Sequence, residues 1–418
     1  MRLSDRYDAI TVPDYLESRL RDSGHALRLI AAGALVIFVP IYAASQVHAT
    51  GKAFHAFLGW DHFAGAIVGF LVVLFYITKG GFLAVVWSDV FQGLLMIAGL
   101  VVLPLVGILE LGGVTNLVDT LRATSPDHLT LDGGNGWTPL TFVTIFGFAA
   151  IGIGFLGSPQ VFVRFISLRS EKEISKGAAV ALLWTLFALS GAVLVGIVGR
   201  AIYDEATIGG DSENILPFMS QDLLHPFFAG VFIAMVLSAI MSTIDSLLVV
   251  ASSAGVRDYW QKTMHPEMSD DTLVKLSQRV TLVLACIAFA IGLGLIWYDA
   301  EQGVFWLIIF GWSGIAATFC PTIILSLFWS GLTARGARCS MVAGFLSVPF
   351  FKFGAPPLLN TLGWSEGPAY LTALDVLLPS FFVAGAVGIV ISLTDRKGRE
   401  RVDGVRDELR DAASRHDA

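Results

Sequence analysis

The sequence has little charge for its length. Of its 418 residues, 15% are Asp, Glu, Lys or Arg, and 55% are hydrophobic. A soluble chain of this length divides into two or three domains and carries more charge. Here the apolar residues fall into runs of about 20, the length that a helix needs to cross a bilayer. The composition therefore excludes an ordinary soluble protein.

Several other features are scarce. The three cysteines, Cys286, Cys320 and Cys339, show no metal-like pairing and are interpreted as reduced thiols. Segments of about ten residues that alternate apolar and polar side chains are absent, which disfavours membrane strands. No run of basic and aromatic residues indicates a nucleic-acid partner. The clustered His, Glu or Ser/Asp pattern that an intramembrane enzyme needs is also missing.

The long apolar runs predict an all-α polytopic membrane protein with about ten transmembrane helices. The predicted spans are residues 27–50, 62–78, 83–109, 139–157, 178–202, 225–254, 277–298, 303–330, 338–352 and 372–394. We expect a cytoplasmic N-terminal loop at 1–26, a transmembrane domain at 27–394 and a charged cytoplasmic tail at 395–418.

The basic residues predict the orientation. If the first residues are cytoplasmic, ten crossings place all but four of the 27 Lys and Arg on the cytoplasmic side. The four exceptions are Lys52, Arg122, Arg200 and Lys352. Such a bias follows the positive-inside rule and predicts that both termini are cytoplasmic.

The most unusual span contains the hydroxyl-rich, acidic segment Leu237–Ser253. At about 100° per residue, one broad face of a helix collects Ser238, Ala239, Ser242, Thr243, Asp245 and Ser246. An ionisable group inside a membrane helix indicates a functional site, and oxygen-rich surroundings suit a sodium-like ion. The alternative is that these hydroxyls bond the carbonyl four residues earlier, without any ligand.

A second unusual segment spans 148–159, where Gly152, Gly154, Gly157 and Pro159 crowd one end of a span. Glycine lowers helix stability by about 1 kcal/mol and proline by about 3 kcal/mol. We expect the helix to break here and to free backbone groups that line a cavity. Close packing through small residues is the alternative.

Six stretches carry a resemblance to a known family. They are TVPDYLESR (11–19), IYAASQVHATGKAF (41–54), GGFLAVVWSDVFQGLLMI (80–97), GFLGSPQVFVRF (154–165), VLSAIMSTIDSLLVVASSA (236–254) and FGWSGIAATFCP (310–321). In this order they resemble the sodium/solute symporter family, most closely its sodium/proline branch. The resemblance implies a transporter fold of two inverted five-helix repeats with flanking helices, about thirteen spans in all.

Measured against that family, the chain begins in the cytoplasmic loop after the third span. We therefore expect that about three N-terminal helices are missing, through a late start or because the chain is a fragment; a genuinely short protein is the alternative. One of the missing helices is the broken first core helix, which in the family contributes to the sodium site and the solute cavity.

The resemblance also implies the ion ligands. The carbonyl of Ala239 and the hydroxyls of Ser242 and Thr243 match the main sodium site. Asp89 matches an acid on the sodium path, where it could hold a second cation with Asp245 and Ser246. As alternatives, Asp89 complements a helix dipole, and Asp245 pairs with a basic group or is protonated.

Arg164, just after the glycine-rich segment, is open to two interpretations. It pairs with acids at a cytoplasmic gate, or it is a positive-inside anchor.

Four residues match the solute cavity of the family: Tyr42, Ile151, Phe155 and Gly157. Ile151 and Phe155 stand where the proline branch usually carries Trp and Tyr, so an indole N–H and a phenol O–H are lost and the wall is more apolar. Ordinary helix packing is the alternative role of the aromatic residues.

The function implied is sodium-coupled secondary active symport of a small organic solute across the plasma membrane, with Na⁺ as coupling ion. The solute is expected to be proline or another small amino acid or carboxylate. The alternative is a sensing or accessory membrane module of the same fold that does not transport, which the short tail disfavours.

Overall fold

The computed structural model describes the backbone of residues 2–414 and, except at 76–84 and 414, their side chains. Every regular element within residues 2–414 is helical. The α-helices are α1 (Arg2–Arg6), α2 (Val12–Leu20), α3 (Ala26–Leu58), α4 (His62–Glu110), α5 (Val114–Thr124), α6 (Pro139–Ala150), α7 (Pro159–Ile166), α8 (Glu171–Ile202), α9 (Ile215–Leu223), α10 (Pro226–Ser253), α11 (Asp270–Tyr298), α12 (Val304–Phe328), α13 (Ala334–Pro349), α14 (Ala355–Thr361), α15 (Gly367–Leu374), α16 (Leu377–Thr394), α17 (Arg396–Arg401) and α18 (Val405–Ser414).

Nine helical segments among the described residues are long and apolar enough to span a membrane. They match nine of the ten predicted spans. The remaining prediction, 62–78, falls on the shorter apolar segment His62–Phe75 at the start of α4. The predicted spans 62–78 and 83–109 thus share one helical element of 49 residues.

The two ends of α4 lie at the same end of the bundle. A straight helix of this length would extend about 74 Å at 1.5 Å per residue. Yet Gly107, near its end, packs against Met219 of α9. The amide of Gln221, also in α9, donates to the carbonyl of Ala56 at 3.2 Å, and Ala56 lies just before α4 begins. The two halves of α4 therefore cross the bundle in opposite directions, as the two predicted spans require.

Some predicted boundaries differ from the observed ones. The span expected at 372–394 begins only at Leu377, because Asp375 adopts a left-handed φ of 57° and separates α15 from α16. The span expected at 338–352 is longer: α13 passes through a π-helical segment, Phe350–Gly354, into α14. Outside the predicted spans, an amphipathic segment forms the helix α5, with Leu117 and Leu121 on its buried side.

Two short helices, α1 and α2, lie within the segment that is expected to be a cytoplasmic N-terminal loop. The hydroxyl of Thr11 caps α2 by accepting from the amide of Asp14 at 3.2 Å, and Pro13 occupies the first turn, where its missing N–H costs nothing. These residues contact the tail, since the hydroxyl of Tyr7 donates to Glu408 of α18 and Arg2 donates to the Ala412 carbonyl at 2.6 Å.

Helix α12 lies at the centre of the bundle. Its residues are largely buried against α3, α13 and α16. Glycines make these contacts close: Gly314 lies against the ring of Phe38, and Gly344 of α13 lies against the carbonyl of Ala317. Lipid tails are as apolar as the side chains, so membrane helices associate through such small-residue packing. This position brings α12 beside the glycine-rich end of α6.

Candidate sodium and solute site

The glycine-rich segment interrupts its helix, as the sequence predicts. Helix α6 ends at Ala150, a 3₁₀ segment covers Ile151–Leu156, and α7 starts at Pro159. The carbonyl of Gly154 accepts from the Ser158 hydroxyl at 2.8 Å. The break thus leaves backbone groups that bond to side chains instead of to the helix.

The same glycines also pack closely against α12. A Cβ at Gly154 would lie 2.4 Å from the indole nitrogen of Trp312, and one at Gly157 would lie 2.7 Å from Cα of Cys320. The Cys320 thiol donates to the Gly154 carbonyl at 3.1 Å. The two interpretations of this segment, a break and a small-residue contact, therefore both hold.

The three residues expected to hold sodium converge on α10. The hydroxyls of Ser242 and Thr243 donate to the Ala239 carbonyl oxygen at 3.0 and 2.9 Å. This is the back-bonded arrangement that was the alternative to a ligand role. It nevertheless gathers three oxygens in a half-buried position, and each hydroxyl keeps lone pairs for a cation. The donor set fits a hard monovalent ion.

Arg164 of α7 connects α10 to α4. Its Nη2 donates to the Asp89 carboxylate and, at 2.9 Å, to the hydroxyl of Ser246. Its Nη1 bonds the carbonyl of Gln160 at 2.7 Å. Of the two interpretations of Arg164, the structure shows pairing with an acid.

The network continues into α10. The Ser246 hydroxyl, which accepts from Arg164, donates to Oδ1 of Asp245 at 3.3 Å, and Asp245 is fully buried. The structure therefore brings together Asp89, Asp245 and Ser246, the three residues expected on the sodium path. The group that joins them in this structure is the guanidinium of Arg164.

The expected solute residues lie around α12. Tyr42 of α3 packs on Gly311, and the ring of Phe155 lies 4.6 Å from that of Trp312. Ile151 is half-buried against the main core. Tyr42 and Phe155 thus contact neighbouring residues of the same helix, from two different elements.

Trp312 was not among the residues singled out from the sequence. It is 7% exposed, and its indole N–H meets no acceptor in the described part of the chain. A buried indole normally finds a hydrogen-bond partner. The only signal in the sequence is its place within FGWSGIAATFCP, where it looks like any other apolar residue.

Comparison with known proteins defines the class. The chain shares its fold with a Na⁺-coupled sialic acid symporter solved in a substrate-bound outward-open state, with a TM-score of 0.68 and 19% sequence identity. The match covers 94% of this chain and 79% of that one. The shared fold and the apolar spans together define a helical membrane protein with the architecture of that symporter.

The sequence identifies the family. Sodium/proline symporters of Staphylococcus aureus, that of strain Newman among them, are 32% identical over 411 residues, 97% of this chain and 76% of theirs. The model of the "Sodium:solute symporter family" matches residues 1–344. The chain belongs to this family, which confirms the resemblance. It is a transporter rather than an enzyme, and Na⁺ is its coupling ion.

Proposed function

We propose that the chain takes up proline, or another small amino acid or carboxylate, together with Na⁺ across the plasma membrane. The observation that carries the proposal is the convergence of the Ala239 carbonyl with the hydroxyls of Ser242 and Thr243 on α10. The sodium/proline symporters at 32% identity support the choice of solute. Residues 1–26 and 395–418 are proposed to be cytoplasmic, on either side of a transporter domain at 27–394.

In this proposal Na⁺ binds first to the three oxygens on α10. A hard cation that leaves water needs several oxygens in compact geometry, so in this proposal the ion draws further groups around it. Coupling arises because Na⁺ and solute favour the same state, and each raises the affinity for the other.

Arg164 is proposed to control the path from this site. Its guanidinium already occupies the position between Asp89 and Ser246 that a second cation would take. Two positive charges compete for the same carboxylate, so Na⁺ at Asp89 requires that Arg164 move away. An ion that leaves by this route would thereby open the contact between α4, α7 and α10.

The proposed solute wall consists of Tyr42, Ile151, Phe155 and Gly157, with Trp312 as its polar member. Phe155 is 59% exposed and so available to a ligand. The indole N–H of Trp312 is covered by Gly154 in this structure, so it would donate to a carboxylate or carbonyl oxygen of the solute once this contact opens. An apolar wall with one donor suits a compact solute that has an apolar body and an acidic group.

Uptake of radiolabelled proline into proteoliposomes, measured against Na⁺ concentration, tests the sodium assignment. Ser242→Ala and Thr243→Ala should each raise the half-saturating Na⁺ concentration about tenfold, because each variant loses one oxygen ligand of the ion. Ser252→Ala is the matched control, because its hydroxyl also bonds a carbonyl of the same helix, that of Val249 at 3.1 Å.

Unchanged sodium dependence in both variants would contradict the assignment. Solute binding without any uptake by the wild-type protein would instead favour a sensing or accessory module.

A further inference from the structure

Helix α1 forms part of the wall of a cavity of about 640 Å³. Ser4 and Asp5 of α1 line the cavity together with residues of α7 and with the segment 249–258, which includes Arg257 and Asp258. The cavity thus lies where the short helices at the start of the chain meet the membrane helices α7 and α10.

The cavity adjoins the contact that Arg164 makes with Asp89 and Ser246. Val163, next to Arg164 on α7, lines it, and so does Val250, one helical turn beyond Ser246 on α10. An ion or solute that passes Arg164 on this side would therefore enter a space that α1 helps to enclose.

The position of α1 depends on contacts with other elements, because a helix of five residues is too short to be stable alone. Leu3 and Tyr7 pack against the main core. Arg2 donates through Nη1 to the Ala412 carbonyl of α18 at 2.6 Å, and through Nε to Oε2 of Glu171 at 2.7 Å. Since Glu171 is the first residue of α8, Arg2 connects the tail to the membrane helix that follows α7.

Glu408 is the centre of the contact between the tail and the first residues. Its Oε2 accepts from the hydroxyl of Tyr7, and its Oε1 accepts from Nη2 of Arg21 at 3.5 Å. Nη1 of Arg21 also donates to the Asp403 carbonyl at 2.9 Å. The Glu408 side chain is only 19% exposed, so its hydrogen bonds are stronger than those of a fully solvated ion pair.

A row of aromatic rings connects Tyr7 to α7. The ring of Tyr7 lies 6.2 Å from that of Tyr15, which lies 6.0 Å from that of Phe162. Phe162 is two residues before Arg164 on α7. A movement of α7 that takes Arg164 away from Asp89 would therefore disturb a row of side chains whose far end is bonded to Glu408.

We propose that the tail helix α18 is an autoinhibitory clamp: through Glu408 it holds Tyr7 and α1 in the cavity wall, and so restrains α7 and the opening of the route past Arg164. Release of α18 widens the cavity and speeds transport. The inference rests on the proposed function, since it concerns the regulation of that same route. A contact that only stabilised the fold would have the opposite effect, because its loss would slow transport.

The reactivity of an introduced cysteine measures this opening without transport. Ser253 lines the cavity and is half-buried, so Ser253→Cys places a thiol in the wall. The substitutions Cys286→Ser and Cys339→Ser remove the native thiols that are not buried. Glu408→Ala and Tyr7→Phe should each raise the rate of modification by a small maleimide about tenfold, because each removes a hydrogen bond to a charged group that favours the closed state.

Further variants separate the clamp from a general effect on the tail. Asp407→Ala is the matched control, because Asp407 is the neighbouring acid of α18 and is exposed. The double variant with Tyr7→Phe should react no faster than Glu408→Ala alone, since both changes remove the same bond. Size-exclusion chromatography verifies that each variant is folded. In proteoliposomes, Glu408→Ala should raise the maximal rate of Na⁺-driven proline uptake.

Three results would overturn the clamp: wild-type rates of modification in both variants, an equal acceleration by Asp407→Ala, or slower uptake by a folded Glu408→Ala protein. The last result would assign Glu408 a purely structural role. Faster modification in Glu408→Ala and Tyr7→Phe, without uptake by the wild-type protein, would refute the proposed function and leave the clamp standing.

Discussion

Single charged residues inside the membrane determine much of what this site can do. Asp89 and Arg164 are 75 residues apart and pair across two helices. Removing one partner of such a pair leaves the other charge uncompensated. Because the Arg164 side chain is 40% exposed, part of that cost is relieved by solvent. The pair is therefore stabilising but separable.

Arg164→Gln should lower the free energy of unfolding by about 1–2 kcal/mol in the absence of Na⁺. Na⁺ should then stabilise this variant more than the wild type, because the ion can take the place of the guanidinium at Asp89. Thermal melting in NaCl and in choline chloride at equal ionic strength measures both effects. Arg169→Gln, at an exposed position of the following loop, is the control. An equal response to Na⁺ in all three proteins would contradict the competition.

At the scale of elements, the break between α6 and α7 contains glycines of two kinds. At one position the neighbouring helix leaves no room for a side chain, and at another there is room for one. Gly157 faces the backbone of α12, whereas a Cβ at Gly152 would meet nothing within 4 Å. The two positions belong to the same segment and look alike in sequence. Only the neighbouring helix distinguishes them.

Gly157→Ala should therefore destabilise the protein by about 1–3 kcal/mol, as overpacking does when a backbone atom must move. Gly152→Ala should leave the melting temperature unchanged or raise it slightly, because alanine is the better helix former. Thermal unfolding of both variants measures this difference in stability. If they melt alike, the contact of Gly157 with Cys320 does not limit the packing of α12.

At the scale of the whole molecule, ion pairs attach the first residues to the bundle. Asp14 of α2 accepts from Arg28 of α3, and from Lys262 at 2.7 Å. Burial alone would raise the pKa of the Asp14 carboxyl, but the hydrogen bond and charge of Lys262, together with Arg28, hold this pKa below its usual value. A carboxyl whose pKa is lowered by folding stabilises the folded state above its usual pKa, and loses that effect as the pH falls further.

Asp14→Asn should consequently cost about 3 kcal/mol at pH 7, since it leaves buried cations without their carboxylate. The difference from the wild type should shrink as the pH falls below about 4, where the wild-type carboxyl also begins to take up its proton. Melting curves of both proteins between pH 3 and pH 7 provide the measurement. Asp5→Asn, at an exposed position, is the control, and a difference that is independent of pH would refute the role of Asp14.

The sequence was most informative where the physical cause is local. Hydropathy is summed over neighbours along the chain, so nine of the ten predicted spans correspond to long apolar helices and the tenth to a shorter one. Glycine and proline weaken a helix wherever they stand, so the break at residues 151–157 was foreseen. The short helices within 1–26 were not among the predictions, because they contact the tail and α3, which are distant in sequence or in a separate element.

The sequence by itself thus determined the membrane class, the spans, the break and the hydroxyl-rich face of α10, since each follows from residues within a few turns of one another. Tertiary structure alone decided that Arg164 meets Asp89, that Trp312 keeps an unpaired indole N–H, and that Asp258 and Arg257 line one cavity with α7. These contacts join residues that are far apart in the chain. Pairing of this kind is set by which helices pack together, and spacing along one sequence does not reveal it.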